Sequence, residues 1–146
     1  MRRTRFDDAH CPVARTADLL GDWWSPLVLR ELLFGRRRFA EIEAALEISK
    51  GVLAQRLARF EAEGIVERQR YQEHPPRDDY VLTDKGTALW EVMVAMWRYG
   101  DEWLFDDGAP IELYDKRTGE EIEPLLIDAA TGDWLDRAST RVRLRS

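Results

Sequence analysis

Cysteine and histidine are nearly absent from this chain of 146 residues, which contains one cysteine and two histidines. A single thiol excludes an internal disulfide framework. Cys11, His10 and His74 are also too few and too widely spaced for a zinc site. The sequence contains no glycine-rich phosphate loop and no nucleophile motif. We therefore expect neither a metal nor a cofactor, and no enzymatic activity.

Long apolar runs are missing as well, since no stretch approaches the roughly 18 residues of a membrane-spanning helix. The N-terminal residues 1–5 include three arginines, but no apolar segment follows them, so a signal peptide is not predicted. These absences predict a cytoplasmic protein without a membrane partner.

Positive charge is scarce overall, because the net charge is -6, but it is unevenly distributed. Residues 1–70 contain 13 Lys and Arg against 11 Asp and Glu, whereas residues 71–146 contain 9 against 17. A local basic face, rather than the net charge, decides whether a protein attracts phosphate. The N-terminal half thus remains compatible with binding to nucleic acid.

Helical start and stop signals occur twice near the N-terminus. Pro12 suits the first turn of a helix that ends at Gly21, and Ser25-Pro26 reads as a cap and first turn of a second helix ending at Gly35. A basic turn follows, formed by Arg36, Arg37 and Arg38.

The next segment has the pattern of a helix-turn-helix. A third helix is predicted over residues 39–46, and after the tight connection Glu47-Ile48 a fourth is capped by Ser49 and stops at Gly64. The apolar stripe of the fourth helix consists of Leu53, Leu57 and Phe60.

Two short strands are predicted directly after these helices. Ile65 to Tyr71 and Tyr80 to Leu82 are strand-like, and residues 74–77, which include two prolines, read as the loop between them. Two strands around a loop, placed after a helix-turn-helix, predict a wing.

Thr83 is predicted to cap the longest helix, which extends to about Phe105. Its apolar residues alternate at spacings of four and three, as in a short coiled coil. One small domain does not easily bury so much apolar surface, so we expect a homodimer through this helix. The predicted interface, called here the apolar seam, consists of Leu89, Met93, Met96, Trp97, Gly100 and Trp103.

Residues 1–106 are therefore predicted to form one domain and residues 107–146 a small β-rich extension. Strand-like segments occur at 111–114 and 122–127, with turns at Thr118-Gly119 and Thr131-Gly132. The fold class is α+β, mainly α: a winged helix-turn-helix with a long C-terminal dimerisation helix and a β appendage.

Several fragments, in order and with family spacing, resemble the HxlR-type family of winged helix-turn-helix regulators in the MarR-like superfamily. The resemblance covers about residues 10–105 and implies a DNA-binding transcriptional regulator, commonly a repressor. The matching fragments are Cys11 to Ala14, Leu20 to Trp24, Leu29 to Gly35, Arg38-Phe39, Ser49 to Leu53, Gln55 to Leu57, Glu63 to Arg68, Pro75 to Arg77 and Tyr80 to Gly86.

The C-terminal extension resembles the zinc ribbon that some members of this family carry. In place of cysteines before the ribbon glycines, this chain has Thr118 and Thr131, with Asp128 three residues before Thr131. Threonine is not a zinc ligand, so the resemblance implies a ribbon without metal.

The fourth helix is expected to enter the major groove of double-stranded DNA, with Gln55 reading adenine and Arg56 or Arg59 contacting guanine or phosphate. Arg77 at the wing tip suits a minor-groove or backbone contact. A dimer would place two such helices about one DNA turn apart on a pseudo-palindromic operator. The predicted DNA-binding residues are Arg36, Arg37, Arg38, Ser49, Lys50, Gly51, Gln55, Arg56, Arg59 and Arg77.

Cys11 is a candidate redox sensor. It precedes a helix start near Arg15, and the positive end of a helix beside a cation is typical of reactive thiols. Several relatives sense electrophiles, quinones or oxidants at this position, which by resemblance implies an electrophile effector. The alternatives are that Cys11 is a small buried residue, or that a small molecule binds between the long helix and Trp23-Trp24.

The sequence therefore favours a DNA-binding regulator, with two alternatives. The acidic C-terminal half keeps open a winged-helix protein-interaction module that has lost DNA binding. A small redox enzyme using Cys11 is the third hypothesis.

Overall fold

The computed structural model describes residues 5–6 and 9–145. They form two compact units, one ending at Met93 and the other beginning at Val94. Most of the basic N-terminus lies outside the described residues. The first unit is a bundle of short helices followed by a two-stranded antiparallel sheet, so the predicted α+β winged helix-turn-helix fold is confirmed.

The first two helices, α1 (Pro12–Leu20) and α2 (Ser25–Leu33), start close to the predicted residues. The prediction that Ser25 caps α2 is wrong, because Ser25 is already helical and Asp22 provides the cap. The Asp22 carboxylate accepts hydrogen bonds from the backbone N–H groups of Trp24 and Ser25, both at 2.9 Å. A side-chain acceptor at this place satisfies N–H groups that have no partner within the helix.

The helix-turn-helix consists of α3 (Phe39–Leu46) and α4 (Lys50–Ala62), within a residue or two of the predicted bounds. The connection is short because Glu47 adopts a left-handed conformation with φ of 51°. Ser49 caps α4 as predicted, since its Oγ accepts the Val52 N–H at 3.4 Å. The predicted stripe Leu53, Leu57 and Phe60 is fully buried in the core. This packing fixes which face of α4 is turned outward.

The wing consists of β1 (Val66–Gln72) and β2 (Arg77–Leu82), paired antiparallel with Arg70 opposite Asp78. The predicted hairpin is confirmed, although β2 begins three residues earlier than expected. At the tip, the Gln72 side-chain amide donates to the carbonyls of His74 and Pro75, both at 3.2 Å. The strands thereby continue up to the tip.

The prediction of one unbroken helix after Thr83 is wrong. Thr83 does cap a helix, but this is the single turn α5 (Asp84–Thr87), and α6 (Trp90–Trp103) begins after a tight turn. Within α5, Gly86 lies so close to the strand entry that a Cβ there would be 2.1 Å from the Ile65 carbonyl oxygen. The turn at Ala88 and Leu89 then redirects the chain.

Two members of the predicted apolar seam belong to the core of the first unit. Met93 is 9% exposed and Leu89 packs against the same cluster. Their side chains are thus occupied within their own chain, and they are removed from the set of interface residues. The shorter seam that remains lies entirely in the second unit.

The second unit continues from α6 into two successive tight hairpins. The predicted strands at 111–114 and 122–127 are reduced to isolated antiparallel bridges, Tyr114 with Glu121 and Ile127 with Trp134. The predicted turns lie between the bridged residues, and Gly119 and Gly132 have φ of +75° and +77°. Each hairpin is too short, and Pro124 too disruptive, for a continuous ladder.

Candidate DNA-binding surface

The outward face of α4 carries small and polar side chains. Gly51, Gln55 and Ala58 are exposed, as the spacing from the buried stripe predicts. Lys50 is exposed at the first turn, where backbone N–H groups lack helical partners. A Cβ at Gly51 would meet nothing within 4 Å, so another molecule can approach the backbone closely here. This face can admit a base edge or a phosphate.

Arg56 and Arg59 do not belong to this face. The Arg59 guanidinium donates to Asp18 Oδ2 at 2.7 Å, and Arg56 Nε lies 2.9 Å from Asp22 Oδ1. Their side chains are only 20% and 21% exposed. The predicted contact of Arg59 with guanine or phosphate requires an outward side chain, but the hydrogen bond to Asp18, 41 residues away in sequence, holds this side chain inward. The same geometry argues against a DNA contact for Arg56.

The three arginines of the basic turn before α3 are bonded to neighbouring residues. Arg36 forms an ion pair with the buried Glu31, which also accepts Arg30. The Arg37 carbonyl accepts the Tyr80 N–H at 2.7 Å, which joins this turn to the wing. The Arg38 guanidinium lies 4.5 Å from the Tyr71 ring centroid and 3.5 Å from Asp79 Oδ1. The turn therefore fixes the wing beside α3, while Arg36, Arg37 and Arg38 stay at the surface.

A groove of about 730 Å³ lies between α3, the start of α4 and the wing, and is called here the wing groove. It brings together three predicted DNA-binding residues, Arg38, Lys50 and Arg77, from different parts of the chain. All three side chains are exposed. The other residues lining it include Phe39, Glu41, Glu43, Tyr71 and Asp78.

Two further cations of the wing, Arg68 and Arg70, are absent from the predicted set. Arg70 donates to Asp78 Oδ1 at 2.6 Å, and this hydrogen bond and charge raise the pKa of the Arg70 guanidinium. Arg68 lies over the Tyr80 ring at 5.3 Å and 3.2 Å from Glu61 Oε2. The alternation of charged residues in β1 is the signal that would have located them. Arg70 therefore offsets the charge of Asp78, which lines the wing groove.

The structure explains why the carboxyl group of Asp22 is ionised at neutral pH. Burial alone would raise the pKa of this carboxyl. The hydrogen bonds from Ser25 and Trp24 together with the positive charge of Arg56 outweigh burial, so the pKa lies below the ordinary 3.8. The cap of α2 and the Asp22–Arg56 pair therefore persist throughout the neutral range and weaken only in acid.

Cys11 is exposed and occupies the N-cap position of α1. The alternative that it is a small buried residue is thus wrong. Nearby, Arg15 donates through Nε to the Ala9 carbonyl at 2.6 Å. Of the two tryptophans suggested for a ligand site, Trp24 packs against the core and only Trp23 is fully exposed.

The two hairpins of the second unit are built alike, which the sequence reasoning noticed only in part. Asp115 and Asp128 accept the N–H two residues later at 2.8 Å, and Thr118 and Thr131 do so at 3.2 Å. Thr118, Thr131 and Asp128, which stand where a zinc ribbon would have its ligands, therefore stabilise the turns through hydrogen bonds. Among the described residues no cluster of His, Cys, Asp and Glu could hold a metal ion. The absence of zinc stays a prediction.

Part of the predicted apolar seam on α6 is exposed to solvent. Met96 and Trp103 are 48% and 67% exposed, and Trp97 and Gly100 are half-buried. In the part of the chain that the structure describes, no helix is both long and apolar enough to cross a lipid bilayer.

A helix-turn-helix followed by a two-stranded wing, with cations at the start of the second helix and at the wing, defines a winged-helix DNA-binding domain. The chain belongs to the HxlR-like helix-turn-helix family, whose profile matches residues 19–107. The resemblance inferred from the sequence fragments is confirmed.

Known relatives agree with this assignment. The HTH-type transcriptional regulator Rv3095 of Mycobacterium tuberculosis is 36% identical over 122 residues, which are 83% of this chain and 77% of that protein. The solved structure of the transcription factor PA1607 matches with a TM-score of 0.87 and 34% identity, covering 96% of this chain and 99% of that one. YodB of Bacillus subtilis is 41% identical over 95 residues, 64% of this chain and 85% of YodB. Its reduced form matches with a TM-score of 0.56, covering 68% of this chain and 98% of that one.

The protein is accordingly a DNA-binding transcriptional regulator and not an enzyme. The match to PA1607 extends over nearly the whole chain and therefore includes the C-terminal unit. The protein-interaction module without DNA binding and the redox enzyme are set aside by the same family membership.

Proposed function

We propose that this regulator binds a pseudo-palindromic operator as a homodimer and represses transcription in the cytoplasm, where bacterial DNA lies. The observation that carries the proposal is the wing groove. Lys50 and Arg77 line it from two elements, and Gly51 and Gln55 are exposed on the outward face of α4. We assign α4 to the major groove, Lys50 to a phosphate at its N-terminus, and Arg77 to the adjacent backbone or minor groove. Ser49 supports this contact by ordering the first turn of α4.

The homodimer is supported by the outer part of α6. Met96 and Trp103 expose large apolar areas, Trp97 lies one residue after Met96, and Gly100 has nothing within 4 Å of the place where a Cβ would be. Apolar surface of this size on one helix is typical of an interface, and a glycine among it allows close approach of a second helix. The proposed interface is thus Met96, Trp97, Gly100 and Trp103, without Leu89 and Met93.

The proposal is tested by selecting bound sequences from random duplex DNA and footprinting the selected site. We expect two protected half-sites about one helical turn apart, roughly 34–36 Å, together with a dimer in equilibrium sedimentation. A monomer that protects a single half-site would contradict the dimer. Equal affinity for selected and random DNA would contradict operator recognition.

We further propose that an electrophile or a thiol oxidant regulates DNA binding through Cys11. The support is the exposure of Cys11 at the start of α1. YodB, which this chain resembles, has been solved in reduced, diamide-treated and quinone-bound forms. In a dimer, diamide would accept two electrons and two protons from two Cys11 thiols and leave one disulfide between protomers.

Diamide treatment is expected to weaken operator binding of the wild type about tenfold, a coupling within the usual allosteric range. The Cys11→Ser variant should keep its affinity, because it has no thiol to oxidise. The measurement is a gel-shift titration with and without diamide, and reducing agent should reverse the effect. Equal responses of the two proteins would rule out Cys11 as the sensor.

A further inference from the structure

The inward side of α4 carries two ion pairs that the DNA-binding role does not by itself require. Arg59 reaches Asp18 of α1 at 2.7 Å, and Arg56 reaches Asp22 of the α1–α2 connection at 2.9 Å. All four side chains are at least 79% buried, and those of Asp18 and Asp22 are only 4% and 15% exposed. The Arg59–Asp18 contact is a hydrogen bond, whereas Arg56 Nε lies beside Asp22 without hydrogen-bond geometry.

These acids are themselves held by the scaffold. Asp22 accepts the backbone N–H groups of Trp24 and Ser25, so it is rigidly joined to the start of α2. Asp18 lies within α1 and is 5% exposed. The buried apolar stripe selects which face of α4 turns inward. Arg59 adds a directional hydrogen bond to Asp18, and Arg56 adds a charge contact with Asp22 three residues earlier on the helix. Together the two contacts restrict the rotation of α4 more closely than the stripe does alone.

We propose that Arg56 and Arg59 are positioning residues: through Asp22 and Asp18 they set the rotation of α4 and so determine which outward side chains meet base edges. This inference rests on the proposed placement of α4 in the major groove. Hydrogen bonds to bases require close geometry, whereas phosphate attraction tolerates a small rotation. Loss of the pairs should therefore reduce operator recognition more than general affinity for DNA.

Direct contact with DNA is the competing role for Arg59. To reach a phosphate, its guanidinium would have to leave Asp18, and the ionised carboxylate would remain almost fully buried without that partner. The two roles predict opposite signs for Asp18→Asn. Removing an acid from a DNA-contacting arginine would strengthen binding, whereas removing the anchor of a positioning residue weakens operator binding.

The test compares the wild type with Asp18→Asn, Arg59→Gln, the double variant of both, and Lys50→Gln as a control that removes one charge from the same helix. Dissociation constants are measured for the selected operator and for random duplex at several salt concentrations, and thermal melting checks folding. We expect the variants at 18 and 59 to lose about tenfold on the operator, within the range of coupled ion-pair residues. Their affinity for random DNA and their salt dependence should stay as in the wild type.

Lys50→Gln is expected to lose affinity for both DNAs and to reduce the slope of log K against log salt by about 0.9. A similar slope reduction in Arg59→Gln, or tighter operator binding by Asp18→Asn, would overturn the positioning role. Unchanged operator affinity in the folded double variant, which leaves no buried charge unpaired, would also overturn it. If Lys50→Gln binds both DNAs like the wild type, the proposed placement of α4 is contradicted. An operator-specific loss in the variants at 18 and 59 would then still distinguish a failure of that placement from a failure of the positioning role.

Discussion

Replacing Lys50 and Arg77 together by glutamine is expected to weaken operator binding about 30-fold at 0.15 M salt, from the release of two counterions. The two side chains line one groove from two different elements and both are exposed, so both can reach the DNA backbone at once. The slope of log K against log salt should fall by about 1.8. Affinity for random DNA should fall by a similar factor, because phosphate contacts carry no sequence information.

A matched control is Lys116→Gln with Arg137→Gln, which removes the same charge from exposed positions of the second unit. Fluorescence anisotropy over a salt series compares the two proteins with the wild type. Equal losses in both double variants would mean that net charge, rather than the wing groove, governs binding.

Gly86→Ala is expected to reduce the free energy of unfolding by about 3 kcal/mol, the upper end of the usual cost of overpacking. The added methyl would lie 2.1 Å from the Ile65 carbonyl oxygen and 2.9 Å from a Leu82 methyl carbon. The carbonyl belongs to the backbone at the entrance of the wing, so it cannot move without displacing β1. Urea denaturation of the protein without DNA measures the loss.

Gly51→Ala is the appropriate comparison, because it also adds one methyl to a helical glycine. Nothing lies within 4 Å of its Cβ position, so the variant should be as stable as the wild type or gain up to about 1 kcal/mol from helix propensity. If Gly86→Ala unfolds at the same urea concentration as Gly51→Ala, the close approach at Ile65 does not constrain the fold.

The helix-turn-helix shows how much of the fold can be predicted from short-range sequence signals. The bounds of α3, the Ser49 cap and the buried stripe of α4 follow from periodicity and capping, which act between residues a few positions apart. The wing follows from two strand-like runs around a proline loop. The ordered family fragments then predict the class of regulator, because their spacing repeats that of the family.

Among the candidate site residues, those placed by local spacing were predicted correctly, and one placed by a long-range contact was not. Counting from Leu53 and Leu57 places Gly51 and Gln55 outward, and the start of the helix places Lys50 at the surface; all three are exposed. Arg59 borders the apolar stripe, and for a side chain of its length the partner decides the direction. That partner is 41 residues away in Asp18, a distance over which no periodicity carries information.

The sequence alone determined that this protein is a winged helix-turn-helix with an exposed, small and polar face on its fourth helix, because caps, spacing and alternation are local. Only the tertiary structure decided that Arg56 and Arg59 turn inward, that the last helix breaks after Gly86, and that Leu89 and Met93 belong to the core. The two arginines depend on acids, and Leu89 and Met93 on an apolar cluster, that the fold brings from elsewhere in the chain. The physical reason is that contacts between residues far apart in sequence set the direction of such side chains.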